Sequence, residues 1–285
     1  MPELPEVKTT VDELAQKIIG RRIIDFWTDV PKRVAFFFDG DIDTIKGSAI
    51  EGIERRGKNI IISLLNGKNI LIHQKISGHL LLGKWKKEKE KWVPSKEPLL
   101  EKINSYIHFI LFLDNGEMIA MSDPRKFAKI EFWTKDKLEA HLKKILGPDA
   151  LEINFEDLSQ ILSKRGGSIK AVLMDQPTIS GIGNIYSDEI LWDSKISPFK
   201  KSKELSRVEM KRIFNSMEKI LNLAIELKGD SMSDYRLIDG TKGGYQNFHK
   251  VYQREGLNCF RKDGGKIKRE KFGSRSVRFC PVCQK

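Results

Sequence analysis

The sequence predicts an α+β protein of several domains: an N-terminal helix with an antiparallel β-sandwich, then a helical segment, then a cysteine-bearing β-hairpin. Three observations carry that prediction. Apolar residues at Val7, Val11, Leu14, Ile18 and Ile19 recur at helical spacing. Short apolar runs bounded by turn residues then dominate to about residue 133. After Gly147-Pro148 the apolar spacing becomes helical, and the cysteines Cys259, Cys280 and Cys283 all lie in the closing stretch.

The first helix is expected over 6–19, with Pro5 at its start and Gly20 as its stop. Strands are expected at 60–65, 70–73, 107–113 and 118–121, with turns at Asn66-Gly67 and Asp114-Asn115-Gly116. Such spacing suits a sandwich or a barrel. Residues 83–102 are rich in Lys, Glu and Pro and read as a mobile surface insertion. Helices are expected at 158–162, 169–174, 184–192 and 208–227, the last with Ile213, Met217, Ile220, Leu221, Ala224 and Leu227 on one face. Residues 229–244, rich in Gly, Asp and Ser, read as a loop. These shifts divide the chain into a β-sandwich domain (1–133), a linker (134–155), a helical domain (156–245) and a terminal hairpin (246–285).

Composition narrows the function. The chain has 285 residues, 40% of them hydrophobic, and a formal charge of +12. Residues 250–285 carry eleven Lys or Arg against three Asp or Glu, a local surplus of +8. A compact basic end fits a nucleic-acid binder, and equally a solvated basic tail. No run approaches the roughly 18 consecutive apolar residues of a membrane span. The N-terminus lacks the basic and apolar regions of a secretory signal, so a cytoplasmic protein is expected. Three clustered cysteines suit a metal site in a reducing compartment better than a disulfide framework.

The segment Pro2-Glu3-Leu4-Pro5-Glu6 offers unusual chemistry. Removal of Met1 exposes a proline amine, and an α-amino group titrates at about 7.7–8.0, so a substantial fraction is neutral and nucleophilic at pH 7, against almost none of a lysine. A secondary amine that attacks a sugar carbon forms an iminium, a covalent electron sink. Glu3 is placed beside it to move protons. With Met1 retained that chemistry is blocked, and Pro2 and Glu3 read equally well as caps of the first helix. Gly181–Asn184 reads as a turn that brings backbone N–H groups and the Asn184 side chain to a phosphate.

Six collinear motifs carry a resemblance. They are PELPEV at 2–7, RRGK at 55–58, the run from Leu71 through His73 to Gly78, and SDPRKF at 122–127. The fifth is Ile169-Lys170 with Asp175-Gln176 and Gly181 to Tyr186, and the sixth is Val251 to Gly256 with the knuckle at Cys280 and Cys283. Together they resemble bacterial formamidopyrimidine-DNA glycosylases. The resemblance implies a helix–two-turns–helix motif in the helical domain and a zinc finger at the end. It implies Pro2 as Schiff-base nucleophile, Glu3 as proton shuttle and Lys58 as a phosphate contact assisting proton transfer. Ile76, Arg125 and Phe127 would fill the gap left by an extruded nucleotide. His73, His108, Lys170, Asn184 and Arg275 would contact DNA. Glu6 and Tyr245 would belong to the lesion pocket, and residues 239–247 to a flexible segment over the flipped base.

Departures from the family pattern are visible. Ile76 stands for the usual Met, Lys75 for Gly and Ser233 for Arg. The first zinc knuckle has Lys262 where a cysteine is expected, leaving Cys259, Cys280 and Cys283, with Asp263 as the candidate fourth ligand and His249 a poorer one. The resemblance implies a monomer near the nucleoid that excises oxidised purines from damaged duplex DNA and cuts the strand by β,δ-elimination. Two alternatives stand beside it: a glycosylase for oxidised pyrimidines, of the endonuclease VIII kind, and a non-catalytic binder of damaged DNA.

Overall fold

Pro5 in the first turn and the apolar stripe at 7, 11, 14 and 18 build α1 (Leu4–Ile18), which begins two residues earlier than the sequence predicts. The computed structural model describes residues 1–37 and 42–285 and divides into two units: 1–143 with 227–246, and 144–226 with 247–285. No helix among the described residues is long and apolar enough to cross a membrane.

In the first unit α1 is followed by β1 (Ile23–Thr28), β2 (Val34–Phe37), β3 (Ile50–Arg56), β4 (Asn59–Leu64), β5 (Lys68–His73), β6 (His79–Gly83), β7 (Trp85–Glu88), β8 (Lys91–Pro94), β9 (Ile107–Leu113), β10 (Met118–Ser122) and β11 (Lys129–Thr134). Among the described residues these form a four-stranded sheet, β1-β9-β10-β6, and a five-stranded sheet, β2-β11-β5-β4-β3. The β11–β2 pair is parallel, and the other pairs within these two sheets are antiparallel. Alternate residues of both sheets share one core: Ile60, Ile62, Ile70 and Ile72 from the second, Leu80, Phe109, Leu111 and Ile119 from the first. Val7, Val11, Leu14 and Ile18 of α1 join it. The period-two pattern thus gives the expected sandwich, each such side chain contributing on the order of 1.5–3 kcal/mol by burial.

Residues 83–102 are not a loose insertion. They fold as the β7–β8 hairpin with the segment after it, and Trp85 and Leu99 are buried with Leu81, Ile107, Ile110 and Ala120 on the outer face of the four-stranded sheet. The Lys and Glu residues that suggested a solvated insertion occupy the exposed positions of that hairpin.

Residues 227–246 also depart from the expected helical domain at 156–245, because they group with the sandwich. Lys228 pairs with Glu13 of α1 at 2.9 Å, the Tyr235 hydroxyl donates to the Glu6 carbonyl at 3.0 Å, and Arg236 grips Glu101 through two 2.7 Å bonds. Leu82 N–H donates to the Ile238 carbonyl at 2.7 Å. Polar contacts at this density outweigh a composition that reads as free loop.

Residues 134–155, expected as a linker, hold α2 (Lys135–Ile145). Only Leu138 and Leu142 are buried along it, so its apolar stripe is faint. The second unit contains α3 (Phe155–Lys164), α4 (Ile169–Met174), α5 (Asn184–Asp193), α6 (Arg207–Glu226) and the hairpin β12 (Lys268–Phe272) with β13 (Arg275–Phe279). Asn154 caps α3 by accepting the Asp157 N–H at 2.9 Å. Helix α5 is enclosed from Ile185 to Trp192, packing against α6 and β13.

Candidate active site and nucleic-acid interface

The first turn of α1 buries charge. Glu3 and Glu6 are each 1% exposed. Glu6 accepts the Glu3 N–H at 2.7 Å through Oε2 and the Asp230 N–H at 2.8 Å through Oε1. One carboxylate therefore fixes both the helix start that bears Pro2 and the loop that follows residue 227. Gly229, at φ +79°, leaves room for this, because a Cβ there would stand 2.8 Å from Glu6 Oε1. Tyr245 is buried, and its N–H donates to the Gly229 carbonyl at 3.1 Å. Glu6 and Tyr245 are thus both joined to Gly229 and its neighbour. Within the segment expected to cover the flipped base, Gly243 N–H donates to Ser231 Oγ at 2.9 Å and a Cβ on Gly243 would meet the Lys228 carbonyl at 2.3 Å.

Lys58 stands in the two-residue turn between β3 and β4 and is 6% exposed. The β4–β5 register, Ile60 opposite Ile72, brings this turn to the end of β5 where His73 sits. Burial, then the charges of Lys75, Lys58 and Lys129, hold His73 down to about 3. Its Nδ1 accepts the Lys75 N–H at 3.0 Å, which leaves the ring proton on Nε2. His73 is therefore a neutral donor.

Two loops carry the expected wedge residues. Ile76 is 40% exposed and Phe127 is 42% exposed, and Arg125 is also exposed. Asp123 joins the loops: it accepts from Ser77 Oγ, from Arg125 N at 3.2 Å and from Ala128 N at 2.7 Å. Lys75 and Lys126 adopt left-handed backbone, φ 57° and 55°. Each costs on the order of 1 kcal/mol, so the hydrogen bonds of Asp123 hold a shape the chain would not choose locally. His108, on β9, meets Asp29 through Nδ1 at 2.9 Å.

In the second unit the turn before α5 is stapled by Gln176. Its Nε2 donates to the carbonyls of Met174 and Ile182, at 2.9 and 2.8 Å, and its Oε1 accepts the Gly181 N–H at 2.9 Å. Gly181 needs its φ of +108°, and Asn184 opens the helix immediately after. Lys170 differs from expectation. Its side chain is 0% exposed and its amine contacts Asp188 at 2.6 Å, Ser187 Oγ at 3.1 Å and the Asn184 carbonyl at 3.4 Å. A charge so enclosed braces the Asn184 turn and is not offered to a phosphate. Burial pushes the Asp188 carboxyl up to about 7 against the pull of Lys170 and Arg278. Glu189 beside it accepts the N–H groups of Lys250, Val251 and Tyr252 at 2.8, 3.0 and 2.8 Å. Sequence reasoning passed over Gln176, Asp188 and Glu189 as working residues, although two acids inside an otherwise enclosed helix are a legible signal. Arg275 is exposed at the hairpin turn, opposite Phe272.

The terminal hairpin gathers Cys259, Asp263, Cys280 and Cys283, with ligand atoms all within 4.8 Å of one another. Cys259 Sγ lies 3.9 Å from Cys283 Sγ, and Cys280 Sγ lies 3.5 Å from Asp263 Oδ2. Tetrahedral zinc with Zn–S near 2.3 Å requires sulfurs about 3.8 Å apart, so these residues fit the metal. Lys262, at φ 54°, precedes Asp263, which takes the place of the absent cysteine. His249 lies outside the cluster. Burial pushes the Cys283 thiol up to about 12, the direction that a bound cation would reverse.

The formamidopyrimidine-DNA glycosylase N-terminal domain family matches residues 1–130, and the formamidopyrimidine-DNA glycosylase H2TH domain family matches residues 146–236. A formamidopyrimidine-DNA glycosylase of Streptococcus mutans is 34% identical over 288 residues, covering all of both chains. That of Heliobacterium modesticaldum is 34% identical over 290 residues, again covering all of both. This chain belongs to the formamidopyrimidine-DNA glycosylase family. Among solved structures it is similar to the Lactococcus lactis Fpg protein in complex with abasic-site DNA, with a TM-score of 0.85, 31% identity and 99% of each chain covered. A variant of the same protein with Fapy-dG-containing DNA gives a TM-score of 0.85 at 31% identity, with full coverage of both chains.

As a member of the formamidopyrimidine-DNA glycosylase family, the chain is a base-excision-repair glycosylase with the α+β architecture that the sequence predicts. Neither the pyrimidine-specific nor the non-catalytic alternative is favoured by these relatives. The family matches cover the sandwich and the helical region, so the first unit's buried N-terminal turn and the second unit's Gln176-stapled turn both fall within matched segments.

Proposed function

We propose that this glycosylase excises oxidised purines from duplex DNA with Pro2 as nucleophile, once Met1 is removed, and then cleaves the strand. The Pro2 nitrogen attacks C1′ of the lesion nucleotide as the C1′–base bond breaks and the base leaves with a proton. The C1′–O4′ bond then opens, O4′ taking a proton, and converts this adduct to an iminium, which acidifies the C2′ proton so that β-elimination expels the 3′ phosphate. δ-elimination then expels the 5′ phosphate and leaves a one-nucleotide gap, and water hydrolyses the remaining conjugated iminium to an unsaturated aldehyde and free Pro2. Glu3 moves the proton at the deoxyribose ring, and Lys58 contacts the neighbouring phosphate. Ile76, Arg125 and Phe127 fill the vacated stack, while His73, Asn184 and Arg275 hold phosphates. The observation that carries this reading is the start of α1, where Pro2 stands beside a fully buried Glu3 whose own N–H is fixed by Glu6. A base-release assay over duplexes bearing 8-oxoguanine, a formamidopyrimidine or an oxidised pyrimidine tests it. Release of the purine lesions first is expected. Preference for the pyrimidine would overturn the purine assignment.

Arg275 is expected to hold phosphate at the tip of the hairpin. Arg275→Ala should weaken DNA binding and flatten the logarithmic salt slope of affinity by about one unit. An unchanged slope means that Arg275 touches no phosphate.

Zinc belongs to the same proposal. Cys259, Cys280, Cys283 and Asp263 would hold one ion, which would stabilise the hairpin and take no part in the reaction. Elemental analysis should find about one zinc per chain, and Asp263→Ala should lower zinc affinity at least about tenfold. A zinc content near zero in freshly purified protein contradicts it.

A further inference from the structure

Asp29 is an acidic residue outside the six motifs that touches side chains read as facing DNA. Asp29 follows β1 directly, and its Oδ1 and Oδ2 lie 2.9 and 3.0 Å from Nδ1 of His108 on β9. Asp29 Oδ2 lies 3.6 Å from Nζ of Lys126, in the loop that carries Arg125 and Phe127. The backbone at this point is fixed as well. Thr28 Oγ1 donates to the His108 carbonyl at 2.7 Å and accepts the Val30 N–H at 3.0 Å. Four residues on, the Arg33 guanidinium lies 5.8 Å from the centre of the Phe127 ring. The short segment after β1 therefore touches the wedge loop at two places and β9 at a third.

A carboxylate on a phosphate-binding surface is unfavourable by itself, because it repels the ligand. Held between two basic side chains, it can instead fix where their donors point. We propose that Asp29 is a positioning residue of the DNA-binding surface, setting His108 and Lys126 before DNA arrives. This rests on the reading of His108 and the 122–127 loop as DNA contacts. A carboxylate accepts, so Nδ1 of His108 is the donor in this bond, and Nε2 can donate to a phosphate only when the ring carries a proton on both nitrogens. His108 is 13% exposed, so its ring cannot reorient freely once this bond is made. Lys126 is 52% exposed and is restrained by Asp29, by its left-handed backbone and by its N–H, which donates to the Asp123 carbonyl at 3.0 Å. The two histidines thus differ: His73 accepts a backbone N–H at Nδ1 and keeps its proton on Nε2, whereas His108 gives its Nδ1 proton to a carboxylate.

The test measures binding of a duplex carrying a tetrahydrofuran abasic analogue, by fluorescence anisotropy, alongside single-turnover base release at saturating protein. Asp29→Ala is expected to raise Kd about fivefold, with the loss falling mainly on Kd rather than on the saturating rate. Asp29→Asn should lie between the two, because its amide oxygen still accepts from Nδ1. His108→Ala should give a comparable loss, and the double variant should fall well short of the product of the two. Melting curves show whether each variant is folded. Unchanged or tighter binding by Asp29→Ala overturns the proposal, since the carboxylate then only repels phosphate. Full additivity with His108→Ala overturns it too. Normal binding by His108→Ala instead sinks the assignment of His108 to the DNA surface, and the proposal with it.

Discussion

Replacing Pro2 by Gly is expected to abolish the covalent complex that borohydride traps on 8-oxoguanine duplex, and to slow strand cleavage by on the order of a thousandfold or more. A ring nitrogen at the chain terminus is a secondary amine, and only its attack on C1′ yields a charged iminium that needs no further proton to act as an electron sink. Glycine supplies a primary amine, whose imine must gain a proton before it draws electrons, and its free backbone torsions lose the aim. The surrounding turn should survive the change, because Glu6 holds the Glu3 N–H and the Asp230 N–H whatever residue stands at position 2. Trapping at the normal yield in Pro2→Gly would assign the nucleophile elsewhere.

Glu3→Gln is expected to lower base release by about 10²–10⁴ while abasic-analogue binding stays within about threefold. Glutamine keeps the shape and the hydrogen-bonding reach of the side chain but cannot cycle a proton. Glu3 is 1% exposed, so a bulk buffer acid has little access to replace it. The contrast between base release and binding is what marks a proton-transfer role, since a misfolded N-terminal turn would damage both. Base release at the wild-type rate by Glu3→Gln contradicts the assignment.

Much of the fold was legible because its signals are local. The run Ile107 to Leu113 is a strand with the predicted bounds, and the 169–174 helix matches residue for residue. Elements whose apolar face is thin were not legible. Helix α2 buries only Leu138 and Leu142, and the β7–β8 hairpin exposes its lysines and glutamates while hiding Trp85. The 227–246 segment was misjudged for a different reason. Glycines that read as freedom are there because neighbouring atoms leave no space, as Gly243 against Lys228 shows.

Legibility at the candidate site followed the same division. Asp263 could be named as a candidate ligand once the resemblance located the missing thiolate, because an oxygen donor stands next to that position. Lys170 could not be judged, since nothing in a sequence tells whether a lysine faces a phosphate or an internal carboxylate such as Asp188. Asp29 was likewise invisible, and Gln176 stood in the fifth motif without a role, because their partners lie on other elements or across a turn.

The account stands on which atom bonds to the sugar. Peptide mapping by mass spectrometry of the borohydride-trapped complex addresses that directly. The account predicts a single reduced adduct on the N-terminal peptide, attached to the nitrogen of Pro2, with Met1 absent. An adduct on a lysine, or active protein that still carries Met1, would contradict it.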